Sequence, residues 1–232
     1  MLRKHTLLLG LIALLPLSLF VRASRADTTP AAAAPAAAPA TEERVFDVTR
    51  DGNKIGVETV TIEKDGDTTT IKFKTHVSVV VMFIQAYHFV HSAVETWTGG
   101  KFVSYKAVTD DNGKHFKIAA VAKDDQVLLD VNGTHSKLPG NMVFASLWSK
   151  DFVDQTTLLH PDSGVELSVK VKDLGMEPIK FHGEDIKAHH YQISGDLDRD
   201  VWFQDDKVVR IQFYGSDHST IMSELMPDRG SN

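Results

Sequence analysis

The chain has 232 residues, contains no cysteine and carries a formal net charge of -6. The lack of cysteine excludes thiol catalysis, thiolate metal sites and disulfide bonds. The acidic balance repels phosphate backbones, so nucleic acid is not expected as a partner.

The first 26 residues have the features of a secretory signal peptide. A basic start, MLRKH, precedes an apolar run that is broken by Pro16 and ends in small residues at Ser24 and Ala26. The run is too short and too interrupted to span a bilayer comfortably. We therefore predict an exported protein, in the periplasm or secreted, that does not span the membrane after signal cleavage.

Residues 27–43 form an Ala/Pro-rich tract without apolar periodicity, which is typical of an extended linker. The chain from residue 44 to residue 226 shows no second shift in composition, and its length is sufficient for one sizeable core. We predict a single β domain there, followed by a disordered tail at residues 227–232.

Alternation with a period of two residues dominates the predicted domain. Runs rich in β-branched side chains are separated by turn dipeptides such as Asp51-Gly52, Asp65-Gly66 and Asn132-Gly133. The chain shows no βαβ alternation, so the sheet should be antiparallel and meander-like.

One segment departs from this pattern. Residues 140–155 place Phe144, Leu147, Trp148 and Phe152 at intervals of three or four residues, which predicts a short amphipathic helix. This helix would either cover an open end of the sheet or act as a movable lid over a cavity.

The segment HFVHSAVETWTGGKF, residues 88–102, predicts a hairpin around its Gly-Gly pair. A regular register would pair His91 with Val108 and would place Glu95 diagonally opposite Lys106, close enough for a cross-strand ion pair. Along a strand, the α-carbons of His91 and Glu95 are about 13 Å apart, so these two side chains could not bind one metal ion together.

Both faces of this predicted hairpin are substantially apolar. An antiparallel strand that has one face in water should have one polar face. Two apolar faces therefore predict cover on both sides, which one sheet can provide by curling around itself. The predicted fold is mainly β: a single antiparallel, strongly curved open barrel or half-barrel with one short covering helical segment at about 140–155.

Such a barrel would enclose a cavity, and the sequence offers large aromatic side chains to line it. These are Phe83, Tyr87, Phe89, Trp97, Phe102, Trp148 and Trp202. Walls of this kind favour the binding of an apolar or amphipathic, lipid-like molecule.

An enzyme and an assembly protein of the cell envelope are the alternative functions. If the barrel is an enzyme, His91, Glu95, Tyr87 and Lys106 supply acid and base side chains in one strand pair. An assembly protein would need only the linker and the acidic surface, and its partner would be another cell-envelope protein.

No motif of the chain indicates a cofactor or a metal ion. The sequence contains no nucleophile elbow, P-loop, dinucleotide glycine pattern or H-E-x-x-H motif. The run DLDRD at residues 196–200 lacks the glycine and the final glutamate of a calcium loop, and we interpret it as a solvated turn.

Three elements resemble a family of secreted bacterial proteins that is known only as a domain of unknown function. They are an H-x3-E-x-W-x2-G hairpin (His91, Glu95, Trp97 and Gly100), a DG-x2-IG hairpin at residues 51–56, and a late strand with Trp202. The resemblance implies no activity, because the family has no established function. A more distant resemblance, to the open barrels of periplasmic lipoprotein carriers, implies a half-barrel around an apolar cavity.

Overall fold

The computed structural model describes residues 40–227. The predicted signal peptide, most of the predicted linker and all of the predicted tail except Pro227 lie outside these residues. The described part is built from strands and their connections. The strands are β1 (Ala40–Arg50), β2 (Asn53–Asp65), β3 (Thr68–Val81), β4 (Ile84–Thr98), β5 (Lys101–Asp111), β6 (Lys114–Lys123), β7 (Gln126–Val131), β8 (Thr134–Pro139), β9 (Thr157–Leu159), β10 (Glu166–Phe181), β11 (Glu184–Gly195), β12 (Arg199–Gln204), β13 (Lys207–Tyr214) and β14 (Thr220–Leu225).

All fourteen strands belong to one antiparallel sheet. Its order is β8-β7-β6-β5-β4-β3-β2-β1-β14-β13-β12-β11-β10-β9, so every neighbouring pair except β1–β14 is consecutive in the chain. The edges β8 and β9 are not joined by a ladder, and the sheet is therefore not closed. The predicted mainly β, antiparallel architecture is confirmed. Across residues 40–227, no helix has the length and apolarity needed to cross a membrane.

The predicted boundary between linker and domain was placed slightly too late. Residues 40–43 were assigned to the linker, but they begin β1 and continue its ladder with β2, where Thr41 pairs with Glu63. The carboxylate of Glu42 stabilises the beginning of β1, because it forms salt bridges with Arg44 at 3.0 Å and with Lys207 at 2.9 Å.

The connections lie at two ends of the sheet, which differ in how they are filled. The turns β1–β2, β3–β4, β5–β6 and β7–β8 share one end with the connections at 196–198 and 215–219, and we call it the cavity end. The turns β2–β3, β4–β5, β6–β7, β10–β11 and β12–β13 lie at the opposite end, which we call the packed end.

The predicted helix at residues 140–155 is wrong. Residues 140–156, which we call the strap, form no helix, and their backbone pairs instead with β9: Ala145 N–H donates to Leu159 O at 2.8 Å. Leu147 has a φ of 54°, which lies outside the right-handed helical region. Spacing of three to four residues therefore arose here from an irregular chain that turns apolar side chains inward.

The strap crosses the inside of the sheet and packs against strands that are distant in the strand order. Phe144 stacks on Tyr105 of β5, with ring centroids 3.8 Å apart. Phe152 contacts Tyr191 of β11 and Phe203 of β12, with centroid distances of 6.0 and 6.2 Å. Because one segment touches both regions, the sheet must curl around the strap.

A β-bulge beside Trp97 changes the predicted register of the β4–β5 hairpin. It pairs Glu95 with Tyr105, and both side chains are fully buried. Lys106 consequently lies on the exposed outer face, so the predicted ion pair between Glu95 and Lys106 is wrong. A shift of one residue moves a side chain to the other face of a sheet.

The same bulge also changes which side chains lie on the outer face of the hairpin, and this face is exposed. His91 pairs with Thr109 rather than with Val108, and Val108 points outward with 60% of its surface exposed. Val94 and Val103 are exposed on this face as well. The predicted cover on both faces is therefore wrong, and the curvature results from the sheet wrapping around the strap.

A second, small apolar cluster lies on the outer face of the sheet. Trp202 points away from its core-facing neighbours and packs with residues of β10, β11 and β13, namely Ile179, Ala188 and Val209. The tip of the β10–β11 hairpin reaches β14, where His182 Nε2 lies 2.7 Å from Leu225 O. Apolar side chains of the long β10–β11 hairpin are thus buried in this cluster on the outer face of the sheet.

Candidate ligand-binding cavity

A cavity of about 810 Å³ occupies the cavity end of the curved sheet. This volume lies in the range of pockets that hold small molecules. Eight strands, β1–β5 and β12–β14, turn side chains toward it. The apolar walls include Val48, Ile55, Phe73, Val77, Phe89, Leu197, Ile211, Phe213 and Ile221.

The strap forms the floor of the cavity. Ala145, Ser146 and Leu147 face the cavity, as does Tyr105, whose ring stacks on Phe144 beneath. The Tyr105 hydroxyl donates a hydrogen bond of 2.9 Å to Pro161 O. The floor therefore separates the cavity from the aromatic core of the packed end.

A polar cluster around His91 interrupts the apolar floor. His91 Nδ1 lies 2.9 Å from Thr109 Oγ1 and 3.3 Å from Asp162 Oδ1. His91 Nε2 lies 3.5 Å from the Tyr105 hydroxyl. Burial, followed by the charge of His160, lowers the pKa of His91 to about 4, so its imidazole is neutral at neutral pH.

Asp162 connects His91 to a second histidine. Its carboxylate Oδ2 lies 3.8 Å from Nδ1 of His160, whose pKa is lowered by burial and then by the charge of Arg199. Burial raises the pKa of Asp162 to about 7, and the nearby Glu58 carboxylate adds to this effect. A carboxyl that titrates near neutral pH between two neutral imidazoles can accept or donate a hydrogen bond to a ligand.

Arg199 supplies a cationic group to the cavity. Its guanidinium lies over the ring of Phe213, 3.7 Å from the centroid, and donates a hydrogen bond of 2.8 Å to Asp198 O. No carboxylate among residues 40–227 forms a salt bridge with it, and burial lowers its pKa to about 10. Several N–H donors of this guanidinium therefore remain available to a ligand.

Further polar side chains line the walls. Thr75 Oγ1 donates to Glu58 Oε2 at 2.9 Å, and burial raises the pKa of Glu58. The Tyr87 hydroxyl donates to Asp111 Oδ1 at 2.8 Å, and burial followed by this hydrogen bond raises the pKa of Tyr87. Arg50, which also lines the cavity, forms a salt bridge with Asp217.

Glu95 belongs to the packed end and does not line the cavity. Its Oε1 accepts a hydrogen bond of 2.6 Å from Trp97 Nε1, whereas Oε2 is buried without a hydrogen-bond partner in the described chain. Burial raises the pKa of Glu95 to about 7, and the nearby Ser146 and Trp148 oppose this shift. Glu95 and Trp97 thus form a buried polar contact under the strap.

The structure brings together only some of the residues that the sequence suggested for a site. Tyr87, Phe89 and His91 line the cavity. Trp97, Phe102 and Trp148 pack in the aromatic cluster of the packed end, with the Trp97 ring 5.9 Å from Phe102 and 6.3 Å from Trp148.

The remaining candidates lie elsewhere. Phe83 is fully exposed at the β3–β4 turn, and Trp202 is in the outer cluster. Lys106 is on the outer face. The predicted aromatic wall is therefore corrected to Tyr87 and Phe89, joined by Phe73 and Phe213.

The ionisable side chains in the cavity floor and the cationic Arg199 were not predicted from the sequence. Arg199 lies in the run DLDRD, which we interpreted as a solvated turn, yet Leu197 and Arg199 face the cavity. His160 and Asp162 flank Pro161 in a turn-like segment. The one available signal was the apolar Leu197 inside an otherwise charged run. Among the residues described, no three His, Asp or Glu side chains are arranged to hold a metal ion.

A family model described as "Domain of unknown function (DUF6134)" matches residues 46–226. The chain belongs to this family. No curated protein matches the sequence. Among solved structures, this DUF6134 chain is similar to a beta-barrel-like protein of domain of unknown function DUF1849 from Brucella abortus, with a TM-score of 0.55 and 11% identity. The similarity covers 79% of this chain and 94% of the other, and at this identity it shows a shared fold alone.

Proposed function

We propose that this DUF6134 protein is an exported binding protein that holds an amphipathic, lipid-like molecule in its cavity. The observation that carries the proposal is the cavity of about 810 Å³, which has apolar walls and a small set of converging polar groups. This combination is the usual make-up of small-molecule sites. The periplasmic or secreted location and the likeness to lipoprotein carriers remain predictions.

The two parts of the lining favour a ligand with two chemically different parts. Apolar side chains such as Val77 and Ile211 would contact a hydrocarbon portion. Arg199, held on the Phe213 ring and free of carboxylate salt bridges within residues 40–227, would bind a carboxylate or phosphate group. The ligand would therefore be an acidic lipid or a lipid-like acid.

The proposal is tested by native mass spectrometry of the full chain purified from its own cells, together with uptake of a dansyl-labelled fatty acid. The variant Val77→Phe places a larger side chain in the cavity, and Val108→Phe makes the same change on the exposed outer face. We expect bound mass and saturable dansyl fluorescence in the wild type and in Val108→Phe, and a large loss of both in Val77→Phe.

A preparation that carries no apolar molecule and takes up no fatty acid would contradict the proposal. Equal binding by Val77→Phe and Val108→Phe, with both variants folded by circular dichroism, would place the bound molecule outside this cavity. Either result would leave the cavity without a role in binding.

The two alternative functions have weaker support. An enzyme that uses His91 and Glu95 together is disfavoured because Glu95 is fully buried beneath the strap and does not line the cavity. An assembly role would require a stoichiometric envelope partner, which a pull-down from the native cells would detect together with an empty cavity.

A further inference from the structure

The β3–β4 hairpin extends beyond its ladders with β2 and β5 at the cavity end. Val77 is the last β3 residue that pairs with β2, and Phe89 is the first β4 residue that pairs with β5. In the sheet ladders, residues 78–81 and 84–88 pair only between β3 and β4, although His88 O also accepts a hydrogen bond of 2.8 Å from Asn112 N. At about 3.3 Å per residue, the tip stands roughly 13 Å beyond the end of the neighbouring ladders.

The tip of this hairpin is apolar and exposed. Phe83 is 103% exposed, Ile84 is 71% exposed and Val80 is 61% exposed. The chain has no Asp, Glu, Lys or Arg from residue 75 to residue 94, although 24% of its residues are charged. A contiguous exposed apolar surface of this kind marks a site of interaction.

The turn itself lacks the residues that such turns normally use. Met82 and Phe83 both have positive φ, 50° and 68°, in a two-residue loop where Asn-Gly or Asp-Gly is preferred. Every other two-residue turn between described strands contains Gly or Asp. Large apolar residues thus occupy a conformation that disfavours them, which indicates a role for their side chains.

The projecting hairpin borders the cavity. Val79, Ala86 and Tyr87 contribute to the cavity lining, and the exposed tip continues from them along the same two strands. A molecule leaving the cavity at this end would therefore pass next to the apolar tip. This position links the exposed surface to the cavity described above.

We propose that the β3–β4 tip inserts into the hydrocarbon surface of a lipid bilayer and positions the cavity end against it. In this two-stranded tip the backbone groups that face the partner strand are paired, whereas those on the two outer edges have no ladder, so the tip can insert only to the shallow interfacial depth at which these edges still reach water. A protein partner would need a matching groove, whereas a bilayer accepts a convex apolar tip of any shape. This assignment holds whatever molecule occupies the cavity.

The depth and chemistry of the tip fit shallow insertion. Interfacial segments bury their apolar face about 5–10 Å into the bilayer, and the exposed side chains of Val80, Met82, Phe83 and Ile84 lie within a comparable length of the hairpin. Behind them lie Gln85, which bonds Ser78 at 3.3 Å, and Tyr87, whose hydroxyl bonds Asp111. Because the tip carries no basic residue, anionic lipids should not strengthen binding.

The natural lack of cysteine allows a direct test with one labelled thiol. Phe83→Cys in the full chain receives an environment-sensitive NBD label, and Thr134→Cys carries the same label at the exposed β7–β8 turn of the same end. With phosphatidylcholine vesicles we expect a blue shift, a several-fold rise in fluorescence and quenching by nitroxide-labelled lipid at residue 83 only. Any membrane binding by the N-terminal residues affects both preparations equally.

A charge substitution tests whether the tip supplies the affinity. Phe83→Asp should lower partitioning to phosphatidylcholine vesicles at least tenfold, whereas Thr134→Asp adds the same charge and should leave it unchanged. Asp tolerates the positive φ at residue 83 better than Phe, so circular dichroism and thermal unfolding should be unaffected. Vesicles that also contain phosphatidylglycerol should bind no more tightly.

Three results would overturn this proposal. The label at residue 83 could stay in water at saturating lipid, or Phe83→Asp and Thr134→Asp could partition equally. Alternatively, the label could already be buried without lipid in a concentration-dependent manner, which would assign the tip to contact between two copies of the chain.

Discussion

The two ends of the curved sheet are built from the same strands and yet differ in composition inside. At the packed end the strap fills the interior with aromatic rings, including Phe144, Phe152 and Trp148. At the cavity end the same strands enclose open space and turn Arg199 and Asp162 inward. The aromatic core at the packed end therefore holds the curved sheet together, while the interior of the cavity end stays open for a ligand.

The largest difference between the ends should appear when one phenylalanine is removed from each. Phe152→Ala deletes a ring that is 1% exposed and is expected to destabilise the fold by about 3–5 kcal/mol. Phe213→Ala removes a partly exposed ring of the cavity wall and should cost only about 1–2 kcal/mol. Urea unfolding measures both, and equal losses would show that the cavity end contributes equally to stability.

The buried carboxyl of the packed end should make stability depend on pH. The folded-state pKa of Glu95 is about 7, above its usual 4.5, so its stabilising contribution is present below about pH 4.5 and is lost as the pH rises through 7. Glu95→Gln keeps the acceptor for Trp97 and cannot ionise. Relative to the wild type, it should gain about 2–3 kcal/mol between about pH 5 and pH 8.

Urea titrations at the two pH values test this expectation. Glu166→Gln, at an exposed glutamate, serves as the control and should show no such gain. His91 acts in the opposite direction, because its lowered pKa removes stability as the pH falls from 6.5 toward 4. A difference between Glu95→Gln and the wild type that does not change with pH would mean that Glu95 is not buried as described.

At the cavity end, removal of the cation should change binding more than stability. Arg199→Met should weaken binding of the dansyl-labelled fatty acid about tenfold, or about 1.4 kcal/mol, because the acid loses its charged hydrogen-bond donor. A fatty alcohol of the same chain length should bind as before. Lys117→Met, at an exposed lysine, is the control for lost charge. Loss of both ligands would instead indicate a collapsed cavity.

The smallest effect is expected on the outer face. Lys106→Ala should change the free energy of unfolding by no more than about 0.5 kcal/mol, because the side chain is exposed and lies on the opposite face from Glu95. Denaturant unfolding checks this value. A loss above about 1 kcal/mol, coupled to Glu95 in a double-mutant cycle, would restore the ion pair that the sequence suggested.

The hairpins were predictable because their turn residues are locally determined. Asn132 and Gly133 adopt φ values of 53° and 84°, and few residue types other than Asn, Asp and Gly adopt such values at little cost. The strand pairs around these turns follow from short-range information. The fold class could therefore be predicted from the sequence.

The conformation of the strap and the register of the β4–β5 hairpin could not be predicted from local sequence in this way. Apolar spacing does not distinguish a helix from an irregular segment whose backbone pairs with β9. The bulge beside Trp97 depends on the packing of Tyr105 under the strap, and a shift of one residue reverses the faces. Both features depend on tertiary contacts that no local pattern contains.

The candidate site was only partly predictable for the same reason. Tyr87 and Phe89 were among the large aromatic side chains that the sequence offered for the cavity wall, and they lie on the same face of β4 as His91. Arg199 and Asp162 come from segments rich in charge and turn residues, where an inward orientation depends on how the two halves of the sheet meet. Only the assembled structure places Asp162 beside His91 and turns Arg199 toward the same cavity.

The strand order also has a consequence for how the chain reaches its native state. Every ladder except β1–β14 joins consecutive strands, so β1–β8 and β9–β14 can each form through short loops. The five residue pairs between β1 and β14, from Phe46–Leu225 to Arg50–Ile221, are the one ladder that closes a long loop. Docking of these two halves is therefore the expected slow step of folding, and the cavity, which both halves line, can form only after it.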